Sequence, residues 1–228
     1  MEPTDKRRLL DALLWTSFFA FTFVALFYYG EYANVNLDFL GIQPRTLQGF
    51  LHIPTIAFVH GNPSHLWNNV LAFSILTTGL FFFYYRIALP VFLSLFFFSP
   101  IILWVVGRDS IHVGASVLIY AEFAFLFFSG VFRKNTSLKR LSLAVAFSYG
   151  YMIWYLLPIE QQISWEGHLS GFSVGILFAW LYRRKGPENT VYRYQTEPEL
   201  SDDFPYWDPN FNPNPPEEAE SYSNTHRE

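Results

Sequence analysis

The 228-residue sequence contains no cysteine, so disulfides, thiolate nucleophiles and cysteine-ligated metals are excluded. Charged side chains are also scarce, because they make up 15% of the chain against about 25% in soluble domains. The net charge of −4 gives no basic surface for nucleic acid. Apolar residues are abundant instead: 51% of the chain is hydrophobic and 21% is aromatic, with 26 phenylalanines. This composition disfavours a small soluble enzyme.

Apolar stretches long enough to cross a bilayer recur along the chain. A transmembrane helix needs about 20 apolar residues, and six stretches come near that length. They cover residues 12–30, 64–84, 87–106, 114–132, 138–157 and 167–183. The sequence therefore predicts an all-α polytopic membrane protein with six transmembrane helices, formed by a membrane domain over residues 12–185 after a cytoplasmic segment of residues 1–11.

Basic residues are distributed unevenly between the two sides of these predicted helices. With the N-terminus inside, eleven basic residues before the tail lie on the inner side, and only two, Arg45 and Arg108, lie on the outer side. An excess of Lys and Arg marks the cytoplasmic side of a membrane protein. We therefore expect an integral protein of the cell (inner) membrane with both termini in the cytoplasm.

Two segments outside the predicted helices differ in composition. The last 45 residues hold 10 of the 19 acidic residues and 7 of the 14 prolines. Such a segment cannot bury enough apolar surface to fold alone, so residues 186–228 are predicted to be a disordered, acidic, proline-rich cytoplasmic tail. Residues 31–63 form a long outer loop, which its three prolines prevent from being one helix.

Polar and small side chains are concentrated where the even-numbered stretches begin. Polar side chains inside a membrane are costly, so each one needs a reason. The residues are His60, His65 and Asn69 at stretch two, Gly114, Ser116 and Tyr120 at stretch four, and His168, Gly171 and Gly175 at stretch six. Because these helix starts share a depth and a direction in the predicted topology, we expect them to lie close together.

This set of residue types is suited to acyl transfer. A serine hydroxyl such as that of Ser116 is a weak nucleophile without an adjacent base, and histidine is the usual base near neutral pH. His168 shares a helical stripe with two glycines whose spacing permits close helix approach. His65 and Asn69 share a helix face and can donate hydrogen bonds to an oxyanion. Each residue alone also fits a packing or anchoring role, so the conjunction carries the hypothesis.

Together these residues resemble the rhomboid family of intramembrane serine proteases, over about residues 10–185. The family patterns and their matches are H-x4-H-x3-N at His60, His65 and Asn69, G-x-S with a tyrosine four residues later at Gly114, Ser116 and Tyr120, and H-x2-G-x3-G at His168, Gly171 and Gly175. The tail is outside the resemblance.

The resemblance implies a six-helix bundle with a water-filled cavity that opens to the outer side. It implies a Ser116–His168 dyad without an acidic third member, with Tyr120 orienting His168 by stacking. His65 and Asn69 would form part of the oxyanion hole, and His60 would support that region. No cofactor or metal is implied. The implied substrates are transmembrane proteins cleaved near the outer membrane surface.

Two departures from the family pattern keep alternatives open. Val117 follows Ser116 directly, at the position where the family motif G-x-S-G has its second glycine. Its side chain either separates the fourth and sixth helices or points away from the sixth helix. Glu122 lies about 120° around the helix from Ser116. Its role is either that of a protonated packing residue or that of a polar contact within the bundle. The first alternative is thus an inactive relative that binds transmembrane clients. The second is a small transporter or scaffold, although no repeat symmetry is visible. The sequence gives neither the substrate nor the oligomeric state.

Other intramembrane proteases fit the sequence poorly. It has no H-E-x-x-H zinc motif. It also has no pair of intramembrane aspartates for aspartyl chemistry.

Overall fold

The structure is a computed structural model that describes residues 3–133, 135–159 and 163–187. Regular structure in these ranges is helical, apart from one isolated antiparallel bridge between Ile42 and His112. The α-helices are α1 (Pro3–Ala33), α2 (Leu47–Leu51), α3 (Pro63–Phe83), α4 (Ala88–Val106), α5 (Ser116–Phe132), α6 (Thr136–Tyr149) and α7 (Trp165–Leu181). Short 3-10 helices cover Asp38–Leu40, Ile56–Phe58 and Gly150–Leu156.

Six of these α-helices coincide with the six apolar stretches of the sequence, and α2 is an additional short helix in the outer loop. By length and composition, α1, α3 and α4 are each able to cross a membrane, whereas α5 is apolar but shorter. The helical architecture and the presence of several membrane-length helices agree with the sequence. The count of six transmembrane helices stays a prediction.

Some element boundaries differ from those expected. Helix α1 begins at Pro3, before the first apolar stretch, and the cytoplasmic location of residues 1–11 stays a prediction. The stretch 138–157 is α-helical only to Tyr149 and continues as a 3-10 helix from Gly150, a residue of poor helix propensity. Residues 188–228 lie outside the described residues, so the predicted disorder of the tail stays a prediction.

Helix α5 occupies the centre of the bundle. It packs against α3, α4, α6 and α7, while α1 packs against α3. Its side chains are buried on all sides from Val117 to Leu126, as expected for a helix that is apolar around its whole circumference. Because α5 begins at Ser116, the candidate nucleophile lies at the N-terminal end of the most enclosed helix.

The outer loop is tied to the end of α4. Arg45 donates from Nη1 to the Gly107 carbonyl at 2.6 Å, and the Trp104 indole donates to the Thr46 carbonyl at 2.8 Å. A cation is favourable beside the unpaired carbonyls of a helix C-terminus. The loop is therefore a folded layer over the outer end of the bundle.

Candidate active site

Ser116 is the first residue of α5 and follows a glycine turn. Gly114 has a φ of +116°, which residues with a Cβ rarely adopt. Its backbone N–H donates to the Ile56 carbonyl at 3.0 Å, so the turn is attached to the outer loop. The N–H groups of a first helical turn have no partner within the helix. Helix α5 thus presents N–H donors next to the Ser116 hydroxyl.

Helices α5 and α7 are in backbone contact at their outer halves. A Cβ at Gly171 would clash with the Val117 carbonyl, and a Cβ at Gly175 would clash with the Ala121 carbonyl. Both glycines therefore lie at the α5–α7 contact, as their spacing suggested. This contact makes the first turn of α7, which carries His168, face the first turn of α5.

The imidazole of His168 is buried and held by two neighbours. Its Nδ1 lies 3.0 Å from the Tyr155 carbonyl oxygen. Because a carbonyl can only accept, Nδ1 carries the proton, and Nε2 of the neutral ring keeps its lone pair. The ring also stacks on Tyr120, whose hydroxyl donates to the Met152 carbonyl at 2.9 Å. The ring is therefore fixed by the Tyr155 carbonyl and the Tyr120 ring, in the tautomer with the proton on Nδ1.

The hydrogen bond expected between Ser116 and His168 is not formed among the described side chains, where the bond made by the His168 ring is the one to Tyr155. The two residues lie on facing helical turns without being joined. Catalytic hydrogen bonds are often long before substrate binds and shorten in the complex.

Val117 does not point at α7. Its side chain is buried in a small apolar cluster with Ile42, Ile53, Ile56 and Leu103, beneath the outer loop. Its backbone carbonyl lies against α7 at Gly171. One residue along a helix turns about 100°, which is why Val117 and its neighbour Ser116 face different surroundings. Of the two orientations considered from the sequence, the structure has the one that leaves α7 close to α5.

His65 and Asn69 lie directly against the turn that precedes Ser116. A Cβ at Gly114 would come within 2.6 Å of His65 Cε1 and 3.4 Å of Asn69 Nδ2. The Asn69 side-chain nitrogen is buried and has no hydrogen-bond partner among the described atoms. An unpaired buried donor costs roughly 1–3 kcal/mol, so its retention beside the nucleophile is consistent with an oxyanion that arrives with substrate.

His60 is packed behind this donor pair. Its ring makes an edge contact with His65 at 5.2 Å between centroids and also contacts Phe23. Burial, together with the neighbouring His65, lowers the pKa of His60 to about 3. The imidazole is therefore neutral across the physiological range, and it supports His65 as an uncharged aromatic ring.

A polar network connects the loop before Ser116 to the start of α7. Arg108 pairs with Glu166 at 3.7 Å, and His112 Nδ1 lies 2.6 Å from the Ser164 hydroxyl. Ser164 also caps α7 by accepting from Gly167 N–H. Burial is the largest cause that lowers the pKa of His112. The network holds the segment that precedes Ser116 against the start of α7, which carries His168.

Glu122 contacts α3 rather than the candidate site. The Thr77 hydroxyl lies 2.9 Å from both carboxyl oxygens of Glu122, and both residues are buried. The contact therefore joins α3 to α5 two turns inward of Asn69. The polar contact within the bundle that was considered from the sequence is therefore present.

Some contributors to the site carried no signal in the sequence. The carbonyls of Met152 and Tyr155 belong to the 3-10 helix Gly150–Leu156, and main-chain acceptors leave no trace in residue types. The polar network at the start of α7 was also missed, although the pairing of Arg108 and Glu166 was open to a search for opposite charges near the site. Across residues 3–133, 135–159 and 163–187, no three His, Asp or Glu side chains converge as metal ligands.

The fold is a helical bundle with several membrane-length helices, in which Ser116 begins α5 and His168 lies in the first turn of the closely packed α7. A sequence profile of the Rhomboid domain matches residues 48–185, which is more than half of the chain. The chain therefore belongs to the rhomboid family.

Its relatives include uncharacterized mycobacterial proteins. The chain is 32% identical to one from Mycobacterium bovis and to one from Mycobacterium tuberculosis, with 70% of this chain and 72% of each relative covered. It is 29% identical to one from Mycobacterium leprae, with 70% of this chain and 68% of the relative covered.

Proposed function

We propose that this chain is an intramembrane serine endopeptidase of the cell membrane. It cleaves transmembrane proteins near the outer membrane surface, and both of its termini are cytoplasmic. The observation that carries the proposal is the orientation of His168, whose Nδ1 is bound to the Tyr155 carbonyl and whose ring is stacked on Tyr120. A histidine that only packs between helices has no need for a ring fixed in one tautomer at the α5–α7 contact.

The reaction follows from these positions. The Ser116 oxygen attacks the carbonyl carbon of the scissile peptide bond, while His168 Nε2 takes the hydroxyl proton. The resulting oxyanion accepts hydrogen bonds from Asn69, His65 and the N–H groups at the start of α5. Collapse breaks the C–N bond, and His168 returns the proton to the leaving amine. Water then hydrolyses the acyl-enzyme by the same steps, which restores the serine.

Labelling with a fluorophosphonate in detergent tests the proposal directly, because the reagent reacts with activated serines. We expect the wild type to be labelled and Ser116→Ala and His168→Ala to lose the label. Ser94→Ala is the matched control, since Ser94 lies on α4 away from the site and donates to the Pro90 carbonyl of its own helix. Labelling that persists in Ser116→Ala would exclude the mechanism.

A second function is favoured by one observation, the missing bond between the Ser116 hydroxyl and His168 among the described side chains. An inactive relative would bind transmembrane clients with the same helices without cutting them. In that case the wild type takes up no fluorophosphonate and cleaves no transmembrane substrate, yet it retains clients in detergent. Labelling of the wild type at Ser116 would exclude this alternative.

A further inference from the structure

A buried polar pair lies at the contact between α3 and α5, away from the candidate active site. The Thr77 hydroxyl oxygen lies 2.9 Å from each of the two carboxyl oxygens of Glu122, and both side chains are buried. In the described part of the chain, no basic side chain forms an ion pair with this carboxyl group. Acidic side chains inside membrane helices are costly, so the presence of Glu122 requires a reason.

The geometry of the pair favours a neutral carboxylic acid at Glu122. Thr77 has a single hydroxyl proton, so it donates a full hydrogen bond to one carboxyl oxygen only. A protonated carboxyl group supplies the second donor: its O–H donates to Thr77 Oγ1, and the Thr77 hydroxyl donates to the other carboxyl oxygen. A buried carboxylate without a basic partner would in addition be very costly, and such groups become neutral instead.

Each partner of the pair shares a helix with a group of the candidate site. Thr77 and Asn69 both belong to the buried face of α3. Glu122 and Ser116 both belong to α5. With a rise of about 1.5 Å per residue, the pair lies about 12 Å from Asn69 along α3 and about 9 Å from Ser116 along α5. The pair therefore links the helix that carries the candidate oxyanion donor to the helix that carries the candidate nucleophile.

The Asn69 amide nitrogen lacks a hydrogen bond that would fix its position. It is buried without a partner among the described atoms, although it lies against the turn at Gly114. Apolar contacts between α3 and α5, such as that of Leu126 opposite Gly79, permit small displacements along the helix axes. A buried polar pair is more restrictive, because its hydrogen bonds are satisfied in one register only.

We propose that Glu122 is a positioning residue: as a neutral acid paired with Thr77, it holds α3 in the register that directs the Asn69 amide to the oxyanion. The inference rests on the proposed function, since it assigns the control of the same site. Glu122 acts through Asn69 and does not touch the substrate. Its loss should therefore weaken an interaction made in the transition state, which lowers kcat and leaves KM unchanged.

Two substitutions of Glu122 distinguish a neutral pair from a charged acid. Glu122→Gln keeps one acceptor and replaces the acid O–H by an amide donor, so both bonds to Thr77 remain possible, and we expect the kcat of the wild type. Glu122→Met removes both bonds. We expect kcat to fall about 10- to 100-fold, because a displacement of about 1 Å at the reacting groups can cost that much. A loss in Glu122→Gln as large as in Glu122→Met would overturn the inference.

Matched variants distinguish register from stability. Thr77→Val with Glu122→Met replaces both partners by apolar groups, a change that can be nearly neutral for stability, so we expect a folded protein with the low kcat of Glu122→Met. Thr78→Val is the control, because the Thr78 hydroxyl lies 3.2 Å from that of Thr16 on α1, instead of facing α5. Its kcat should equal that of the wild type. An equal loss of kcat in Thr78→Val would overturn the inference.

A double-mutant cycle tests whether Glu122 acts through Asn69. In the Asn69→Ala background the amide to be positioned is absent, so Glu122→Met should lower kcat no further. Residues that act on one group in this way are not additive, whereas independent sites are. Effects of the two substitutions that simply multiply would overturn the assignment to Asn69.

Infrared spectroscopy reports on the pair without reference to catalysis. At neutral pH in detergent, the spectrum of the wild type minus that of Glu122→Gln should contain the carbonyl band of a protonated carboxylic acid. Thr77→Val should shift this band to higher frequency, because the hydrogen bond to the carbonyl is lost. A carboxylate band in its place would overturn the inference. Failure of the proposed function is read separately, as absent fluorophosphonate labelling of Ser116 in a wild type that retains the acid band.

Discussion

The imidazole of His168 lies parallel to the phenol ring of Tyr120, with centroids 4.1 Å apart and planes 11° apart. The phenol is itself fixed, because its hydroxyl donates to the Met152 carbonyl at 2.9 Å. In the Ser-His-Asp arrangement a carboxylate orients the base. Here an aromatic face and the Tyr155 carbonyl orient the His168 ring.

Tyr120→Phe separates stacking from the hydroxyl. The ring still supports His168, but the Met152 carbonyl loses its donor, and a typical intramolecular hydrogen bond contributes about 0.5–1.5 kcal/mol. We expect kcat to fall roughly two- to tenfold with KM unchanged. Tyr120→Ala should fall further, since both contacts are lost. Equal kcat in the wild type and both variants, measured on one transmembrane substrate, would show that the stacking has no role.

Asn69→Ala removes the unpaired amide beside Gly114. Loss of one oxyanion donor should lower kcat by roughly 10- to 1000-fold, and stability should be retained because the amide nitrogen has no partner to lose among the described atoms. Asn68→Ala is the control, since Asn68 is exposed on the preceding position of α3. Kinetics and thermal unfolding are measured together. A large fall in unfolding temperature with unchanged kcat would assign Asn69 to packing.

Val117→Gly tests whether this residue impairs the site. Its side chain fills the apolar cluster under the outer loop, so its removal leaves a cavity and adds a flexible residue to α5. We expect a loss of about 2 kcal/mol in the free energy of unfolding and no gain in cleavage. A gain of about a hundredfold, roughly 3 kcal/mol in activation free energy, would identify the natural protein as an impaired enzyme.

The stability of the protein should fall in mild acid, and His60 should contribute to that fall. The ordinary pKa is 6.5, and burial lowers that of His60 to about 3. Between these values the unfolded chain binds the proton and the folded chain does not, so stability is complete above pH 6.5 and is lost as pH falls towards 3. The loss between pH 6.5 and 4.5 is about 2–3 kcal/mol.

His60→Gln removes this titration and should flatten the pH dependence of unfolding in detergent. His52→Gln is the matched control, because His52 lies on the same outer loop with Nδ1 near the Gly41 carbonyl. An unchanged slope in His60→Gln would mean that His60 is solvated in the native protein.

The N-cap of α7 offers a test of the polar network. Ser164→Ala removes the acceptor for Gly167 N–H and the partner of His112. A lost cap typically costs about 1 kcal/mol, and kcat should fall because the network holds the segment that carries His168. Ser173→Ala, on the exposed face of α7, serves as control. Kinetics indistinguishable from those of the control would limit the network to a structural role.

The sequence predicted those parts of the molecule that depend on residue type and period. Long apolar stretches identified the main helices, and the spacing of Gly171 and Gly175 indicated the close contact on which His168 lies. The shared direction of the even-numbered stretches predicted that Ser116 and Asn69 lie close together. Each of these inferences uses side-chain chemistry that follows directly from the amino-acid sequence.

The remaining features depend on three-dimensional placement. The direction of the Val117 side chain depends on how α5 is rotated about its axis relative to the outer loop. A single sequence does not determine that rotation. The Thr77–Glu122 contact joins residues 45 positions apart. Tyr155 acts through its carbonyl, which every residue possesses. For each of these features, the pattern of residue types is compatible with several three-dimensional arrangements and does not distinguish between them.

The 3-10 helix Gly150–Leu156 has a consequence for how this site tolerates sequence change. The segment supplies main-chain oxygens, so replacing the side chains of Met152 or Tyr155 keeps both acceptors. A 3-10 helix has three residues per turn, so inserting or deleting a single residue rotates the downstream residues by about 120° and misdirects the carbonyls. The site should therefore withstand replacement of the exposed Tyr155 side chain and fail on a change of length by one residue.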